Sequence, residues 1–437
     1  MLLAALAFII GCGTLLLSLP QAQATSVSFL DVLFTTVSTV CVTGLKTVPI
    51  ESFSYFGHCV LLVLMQIGGL GLMTFSFFFA SLFMNMGMTR KLMAGKIFEF
   101  ESWAHIRSFL SVIVLVTLFL EGVGAALLYV PFCKVMPKGN ALFYAIFHSV
   151  SAFCNAGVTL FSGGMKLFTN NPLVLLTLSF LVISGGIGFI VWYELARAFR
   201  VGISAVRGQG KPLFTYSLHT RLAVATTLLL IVFGTICIWG IEQNHALGDM
   251  RGLYSILNAF FMSVSMRSAG FMVMAVSHLR SATVLILLAL MFVGGSPGST
   301  ASGIKTTTFA LFCATIRAII QNRDAVEISG RTIPTDQMYK VIAVMVIALS
   351  WIIATTFFLL VLHPDAPFLS VLLEVVSAFS TCGISLGLTA KIASAAKIIL
   401  MGTMIVGRMG LLTLVMALRR TGQKHLYRYP EERVLLT

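Results

Sequence analysis

In a chain of 437 residues, a composition of 58% hydrophobic and 10% charged residues excludes a soluble globular protein, in which roughly a quarter of residues are charged. The net charge of +14 would suit a nucleic-acid-binding protein, but 18 of the 29 lysines and arginines fall in four segments between long apolar runs. Basic residues concentrated in alternate loops are typical of membrane topology. Composition and charge therefore indicate a multi-span membrane protein that does not bind nucleic acid.

Eight apolar segments have the length that a helix needs to cross about 30 Å of hydrocarbon. With eight spans, the basic segments 84–107, 197–221, 317–340 and 419–437 lie on one side of the membrane. The positive-inside rule makes that side the cytoplasm, together with both termini. The predicted spans, in chain order, are 1–19, 56–83, 106–131, 172–196, 218–241, 281–295 with 304–316, 338–362 and 395–418.

A short motif that ends in glycine occurs four times between these spans. VSTVCVTGL (37–45), VSAFCNAGV (150–158), SVSMRSAGF (263–271) and VSAFSTCGI (376–384) have glycines at 44, 157, 270 and 383, spaced 113 residues apart. A second glycine signal follows 24, 28, 24 and 24 residues later, in IGGLG, SGGIG, VGGSPG and VGRMG. Such spacing indicates four internal repeats, which we place at 1–104, 105–217, 218–337 and 338–437.

Each repeat has a short apolar segment before its first glycine, at about 30–40, 141–153, 252–265 and 368–380. These segments are too short to cross the bilayer and predict re-entrant helices. Irregular backbone at membrane depth must be buried in protein or line a watery cavity. We therefore predict an all-α membrane protein with four membrane–pore-loop–membrane repeats in pseudo-fourfold symmetry around one pore, comprising eight transmembrane helices and four re-entrant pore helices. The alternative for any one repeat is a helix hairpin packed through glycine.

The four glycine loops, defined as residues 40–44, 153–157, 266–270 and 379–383, contain no Asp or Glu. Glycine permits backbone conformations that turn carbonyls toward a central ion, and rings of carbonyls replace the hydration shell of a monovalent cation. The C-terminal end of each short helix adds partial negative charge. No C-x-x-C or H-E-x-x-H pattern indicates zinc or another transition metal. The predicted filter residues are Val42, Thr43, Gly44, Asn155, Ala156, Gly157, Ser268, Ala269, Gly270, Thr381, Cys382 and Gly383.

Residues 293–309, VGGSPGSTASGIKTTTF, interrupt the second span of repeat 3. Pro297 removes a backbone donor and the glycines weaken the helix, so this segment is expected to lie beside a cavity. Residues 294–298 match G-x-S-x-G and residues 298–305 nearly match a phosphate-binding loop, but the catalytic partners, the phosphate-binding Lys and the preceding strand are missing. We predict no enzyme activity and no nucleotide site on this chain.

Lys305 and Arg408 are the basic residues placed most clearly within the second-span helices, where charge is costly. Arg408, midway along its span, is expected to face a cavity, whereas Lys305 either does so or extends to the interface. Arg267, in the third glycine loop, is expected to donate to neighbouring carbonyls, because a coordinating role would repel the permeant cation. Asp31 and Glu374 are expected to stabilise the N-terminal ends of short helices.

Over essentially the whole chain these motifs resemble the Trk/Ktr/HKT superfamily of potassium and sodium uptake proteins. The C-terminal RYPEERVLLT (428–437) and the start directly at the first repeat look more like the Ktr membrane subunit than the longer Trk subunit. Three departures from the family pattern are thiols in three glycine loops (Cys41, Cys154 and Cys382), a third loop that is one residue shorter, and Pro297. The resemblance is carried by TSVSFLDVLFTTVSTVCVTGL, LMQIGGLG, FYAIFHSVSAFCNAG, SVSMRSAGF, GSTASGIKTTTF, VSAFSTCGISLGLT and IVGRMGLLTL.

The resemblance implies potassium uptake across a prokaryotic cell membrane, because plant-type relatives with serine at the first filter position are sodium-selective and this chain has glycine at all four positions. It also implies a lipid-embedded homodimer, a cytoplasmic ring of nucleotide-binding regulatory subunits and sodium as an activator. A sodium-conducting or Trk-type subunit stays open, as does an alternating-access carrier, although four repeats of one orientation favour a channel. The implied gate residues are Gly294, Gly295, Ser296, Pro297, Gly298, Ser299, Thr300, Gly303, Lys305 and Arg408.

Overall fold

A computed structural model describes residues 2–82, 106–206, 215–250, 252–323 and 325–410. Most of the first basic segment and the C-terminal 428–437 segment lie outside these residues. The chain forms α1 (Leu2–Leu17), α2 (Phe29–Val40), α3 (Tyr55–Leu82), α4 (Ile106–Phe132), α5 (Lys138–Phe153), α6 (Pro172–Gly186), α7 (Phe189–Val206), α8 (Leu218–Glu242), α9 (Gly252–Ser265), α10 (Ser281–Phe292), α11 (Thr306–Ile320), β1 (Val326–Ile328), β2 (Arg331–Ile333), α12 (Thr335–Leu362), α13 (Phe368–Ser380) and α14 (Ser394–Met409).

The strands β1 and β2 form an antiparallel hairpin, paired Val326 to Ile333 and Ile328 to Arg331, that packs on α11. The turn between them uses Ser329 and Gly330, both with positive φ. The fourth repeat was predicted to begin at residue 338, three residues inside α12, and the repeat boundaries remain a proposal.

The four short helices α2, α5, α9 and α13 are confirmed, and each ends next to its glycine loop. Ser28 caps α2 by accepting a hydrogen bond from the Asp31 amide at 3.2 Å, and Asp31 lies in the first turn, as expected for an N-terminal stabiliser. The same expectation for Glu374 is wrong. Glu374 lies midway along α13, and its carboxylate accepts hydrogen bonds from Ser385 and Thr389, which follow the fourth loop.

Within the described residues, three helices are long and apolar enough to cross a membrane unaided: Ser111–Phe132, Leu218–Glu242 and Thr335–Leu362. The predicted span at 172–196 consists of two helices, α6 and α7, that meet at a 97° bend and together are long and apolar enough to form a fourth, broken span. Gly188, at the bend, has φ +99°, a conformation that side chains disfavour. The other predicted spans correspond to α1, to α3, to the interrupted pair α10 and α11, and to α14, and the count of eight stays a prediction.

The helices pack in a closed cycle. The second long helix of each repeat contacts the short helix of the next: α3 with α5, α6 with α9, α10 with α13, and α14 back to α2. Each short helix buries one large apolar residue ten positions before its loop glycine, or nine in the shorter third repeat; these residues are Phe34, Phe147, Phe261 and Leu373. The core therefore lies around the short helices, and this arrangement brings the four glycine loops together.

Candidate functional site

All four loop glycines line one cavity of about 550 Å³. Because the short helices end at the loops, their partly negative C-terminal ends converge on the floor of this cavity. The predicted filter residues other than the glycines do not line it, and their side chains are buried. Where the four loops meet, the glycines therefore present backbone to the cavity, as main-chain coordination of a cation would require.

Each loop glycine fits against a carbonyl of the next loop. A side-chain Cβ at Gly44 would collide with the carbonyl oxygen of Ala156, and the corresponding clashes close a ring around the cavity. The other pairs are Gly157 with the carbonyl of Ala269, Gly270 with that of Cys382, and Gly383 with that of Thr43. Four glycines and four carbonyls thus alternate between neighbouring repeats, and no position in the ring has space for a side chain.

The backbone reaches this ring through a left-handed residue in three of the loops. Val42, Asn155 and Thr381 have φ of 56°, 60° and 51°, each two positions before the loop glycine. Val42 and Thr381 are β-branched, for which positive φ is strained by about 1–3 kcal/mol. Strain of this kind persists where the surrounding structure requires a particular backbone path.

The third loop, which is one residue shorter, has no left-handed residue before its glycine. The amides of Ala269 and Gly270 both donate to the carbonyl of Ser265, at 2.8 and 2.9 Å. In the first loop the equivalent bond runs from Thr43 to the carbonyl of Ser38, at 2.7 Å, across one more residue. The third loop thus makes the equivalent bond with one residue fewer before Gly270, and Gly270 keeps its place in the ring.

In three of the four Val-Ser pairs the serine supports the backbone that follows the glycine; in the fourth, Ser377 Oγ makes no such bond among the described residues. Ser38 donates to the carbonyl of Leu45 at 2.6 Å, and Ser151 and Ser265 make the same bond to Val158 and Phe271. Because each of these three serines ties the end of a short helix to the far side of its loop, the loop is fixed at both ends. The sequence motif includes these serines, but their role was not predicted.

The thiols in the glycine loops are buried and do not line the cavity. The Sγ of Cys382 lies 3.3 Å from the carbonyl of Met266, which joins loops four and three. The Sγ of Cys154 lies 3.9 Å from Gln66 and 4.0 Å from Glu121. Neither thiol is placed to contact an ion in the ring.

The segment that interrupts the third repeat lies against the bend of the second. The amides of Ser296 and Thr300 donate to the carbonyls of Gly186 and Gly185, at 2.9 and 3.1 Å. In return, the amide of Phe189 donates to the carbonyl of Gly298 at 2.8 Å. The break between α6 and α7 therefore supplies the backbone groups that satisfy the interrupted span, as irregular backbone at this depth requires.

Asn155 and Thr300 connect this segment to the second glycine loop. The Asn155 side chain donates to Thr300 Oγ1 at 2.8 Å, and Thr300 Oγ1 donates to the carbonyl of Phe153 at 3.0 Å. Arg267 donates to the carbonyl of Gly294 at 2.9 Å, which confirms its predicted hydrogen bonding to a carbonyl. The predicted filter and the predicted gate are therefore in direct contact.

Arg408 joins the interrupting segment to the first repeat. Its guanidinium donates to the carbonyl of Thr300, to Ser302 Oγ at 3.2 Å and to the carbonyls of Gly68 and Gly69. Arg408 is thus buried among carbonyls, in contact with the predicted gate. Lys305 occupies the N-cap position of α11 instead of lying within a helix. Its ammonium donates to the carbonyl of Ala301 at 2.8 Å. The structure brings together all ten predicted gate residues, nine on one segment and Arg408 beside it.

Sequence reasoning missed the purpose of the second glycine signal. Side chains at Gly68, Gly185 or Gly407 would collide with the last turn of the short helix in their own repeat, at the carbonyls of Val40, Phe153 and Phe379. Gly294 differs, because its close neighbour is the carbonyl of Ser302 within its own segment. The recurrence of a second glycine 24 to 28 residues after each loop glycine was the available signal for this packing.

The comparisons with known proteins agree with this geometry. A family model described as "Cation transport protein" (TrkH) matches residues 6–427. "Ktr system potassium uptake protein B" of Vibrio alginolyticus is 35% identical, over 97% of this chain and 91% of the relative. "Potassium/sodium uptake protein NtpJ" of Enterococcus hirae is 30% identical, over 97% and 94%. The crystal structure of the potassium transporter TrkH from Vibrio parahaemolyticus has the same fold, with a TM-score of 0.73, 17% identity, and coverage of 96% of this chain and 85% of that one. The chain therefore belongs to the TrkH family of cation transport proteins.

Proposed function

We propose that this chain is the ion-translocating subunit of a Ktr-type potassium uptake system in a bacterial cell membrane. The observation that carries this proposal is the closed ring of alternating glycines and carbonyls at the floor of the outer cavity. A ring of carbonyls suits a weakly hydrated monovalent cation, and the absence of acidic side chains from the glycine loops disfavours a divalent one. The names of the relatives, Ktr system potassium uptake proteins, support potassium as the transported ion.

In this proposal the twelve filter residues hold the ion through their main chain, and the segment 294–305 with Arg408 forms an intramembrane gate below them. The bonds from Thr300 to Phe153, from Asn155 to Thr300 and from Arg408 to Thr300 couple gate and filter. Because these bonds end on one residue, displacing the segment breaks them together. A gate placed there opens the path without altering the ring itself.

We also propose that the chain works as a homodimer with both termini in the cytoplasm and is controlled by a separate nucleotide-binding subunit. The basic segments 197–221 and 317–340 are candidate contacts for that subunit. Sodium as an activating ion is suggested by the potassium/sodium uptake named for the Enterococcus relative.

Growth of potassium-uptake-deficient bacteria at low external potassium tests the proposal. The wild-type chain, expressed with a Ktr-type regulatory subunit, should restore growth and rubidium uptake. A Gly157→Val variant, in which the side chain meets the carbonyl of Ala269, should restore neither while still reaching the membrane. Growth restored equally by both would remove the glycine–carbonyl ring from the transport path.

A further inference from the structure

The charged side chains on the wall of the outer cavity are both lysines. Lys46 follows Gly44 by two positions, and Lys166 lies in a short 3-10 helix, Gly164–Phe168. Both side chains are exposed. Among the described residues that line this cavity there is no Asp or Glu. The cavity that leads to the proposed cation-binding ring therefore has a positively charged wall.

One carboxylate bonds to a residue of this wall from behind it. Glu374 is fully buried on α13, and its carboxylate accepts hydrogen bonds from the hydroxyl of Ser385, a lining residue, and from Thr389 Oγ1 at 2.5 Å. Glu374 and Asp31, which is paired with Lys397 at 2.5 Å, do not line the cavity. The two lysines are therefore the only charged side chains among the described residues that line the cavity.

We propose that Lys46 and Lys166 form an electrostatic screen at the outer mouth that excludes divalent cations more strongly than potassium. A concave wall of low dielectric constant concentrates the field of its charges, and their range in physiological salt is about 8 Å. At a given positive potential, the local concentration of a monovalent cation is reduced by some factor. The concentration of a divalent cation is reduced by the square of that factor, because its charge is twice as large. The screen thus lowers the access of a divalent cation more than that of potassium and protects a carbonyl ring from divalent block. This inference rests on the proposed function.

The test compares wild type with the double variant Lys46→Gln/Lys166→Gln in proteoliposomes at low ionic strength. Removing the charges should lower the apparent KM for potassium by a factor f of about 2 to 4. The external barium concentration that halves the flux should fall by about f squared, since barium is divalent and close to potassium in radius. Raising the ionic strength with N-methyl-D-glucamine chloride should shrink both differences, because screening shortens the range of the charges.

Lys138→Gln is the matched control, because Lys138 begins α5 in an outer loop and does not line the cavity. This variant should leave both constants unchanged. If wild-type flux is present but the double variant changes neither constant, the screen is wrong. Equal factors for potassium and barium, or factors that persist at high ionic strength, would likewise contradict an electrostatic cause. Absence of cation flux in the wild type, with the regulatory subunit included, would instead overturn the proposed function.

Discussion

Gly44 is constrained by both conformation and space. Its φ of +84° is disfavoured for any side chain by about 1–2 kcal/mol, and its missing Cβ leaves room for the carbonyl of Ala156. A serine here pushes that carbonyl out of the ring or twists the loop. Either change alters the distances on which discrimination between ions of different radius depends.

Gly44→Ser should therefore lower the ratio of potassium to sodium flux by about tenfold, equivalent to about 1.4 kcal/mol of lost discrimination. The measurement is the ratio of the two fluxes in liposomes under a clamped potential. Gly163→Ser is the control, because Gly163 lines the same cavity with nothing near its Cβ position and a φ of −89°. An unchanged ratio in Gly44→Ser would mean that the ring does not set selectivity.

We predict that Arg408 stabilises the closed gate by bridging two carbonyls and not by its charge alone. Its guanidinium reaches the carbonyls of Thr300 and Gly68 at once, a span that the single ammonium of lysine does not reproduce. Arg408→Gln and Arg408→Lys should both raise potassium flux in the absence of the regulatory subunit, by about three- to tenfold, if the bridge contributes about 1 kcal/mol to the closed state. Wild-type flux in Arg408→Lys would show that charge suffices.

The two ends of the segment between α10 and α11, its stems, hydrogen-bond to each other, and its middle contacts other repeats. The amides of Gly294 and Gly295 donate to the carbonyls of Ile304 and Ser302, at 3.0 and 3.4 Å. Within residues 297–301, Gly298 and Thr300 make contacts to α7, α6 and Arg408. Ser296 and Ser302, on either side of this stretch, bond to α6 and Arg408 as well. Removing the middle leaves the stems able to pair.

Deletion of residues 297–301 should accordingly raise ion flux without the regulatory subunit while preserving the preference for potassium over sodium. Pro297→Ala keeps the length of the segment and should leave control close to wild type. The measurement is rubidium efflux from liposomes with and without that subunit. Normal closure in the deletion variant would remove this segment as the gate.

At the scale of the whole molecule, the ring of repeats is closed between the first and the last. Lys397, on α14, pairs with Asp31, on α2, at 2.5 Å, and the two side chains are 14% and 16% exposed. The pair joins residues 366 positions apart, so it constrains the assembled ring and not a local turn.

A double-mutant cycle on Asp31→Asn and Lys397→Met should give a coupling energy of about 1 kcal/mol, above the value for exposed pairs. Each single variant should lower the melting temperature in detergent by about 2–4 °C. Asp336 and Lys340, an exposed pair on one helix at 3.2 Å, provide the matched comparison with an expected coupling of about 0.3–0.5 kcal/mol. Equal coupling energies in the two pairs would show that the contact between the first and last repeats is no stronger than an exposed ion pair.

Much of this architecture was predictable because the repeats carry their own spacing. The interval between loop glycines and the length of the apolar segments located α2, α5, α9 and α13 to within a few residues. The bend at Gly188 was missed, because SGGIG resembles the second signals of the other repeats, and only contact with the segment around Gly298 shows why α6 and α7 separate. The link from Asn155 to Thr300 was likewise invisible, since it joins residues 145 positions apart without a local pattern.

One chain with a ring of glycines and carbonyls should conduct and select potassium. Cation flux into liposomes that contain only this purified protein measures both properties at once. Fluxes of potassium, rubidium, sodium and lithium would be compared under a clamped potential, with empty liposomes as the baseline. The potassium and rubidium fluxes should be similar in size and well above those of sodium and lithium. Equal fluxes of all four ions, or a larger sodium flux, would contradict this prediction.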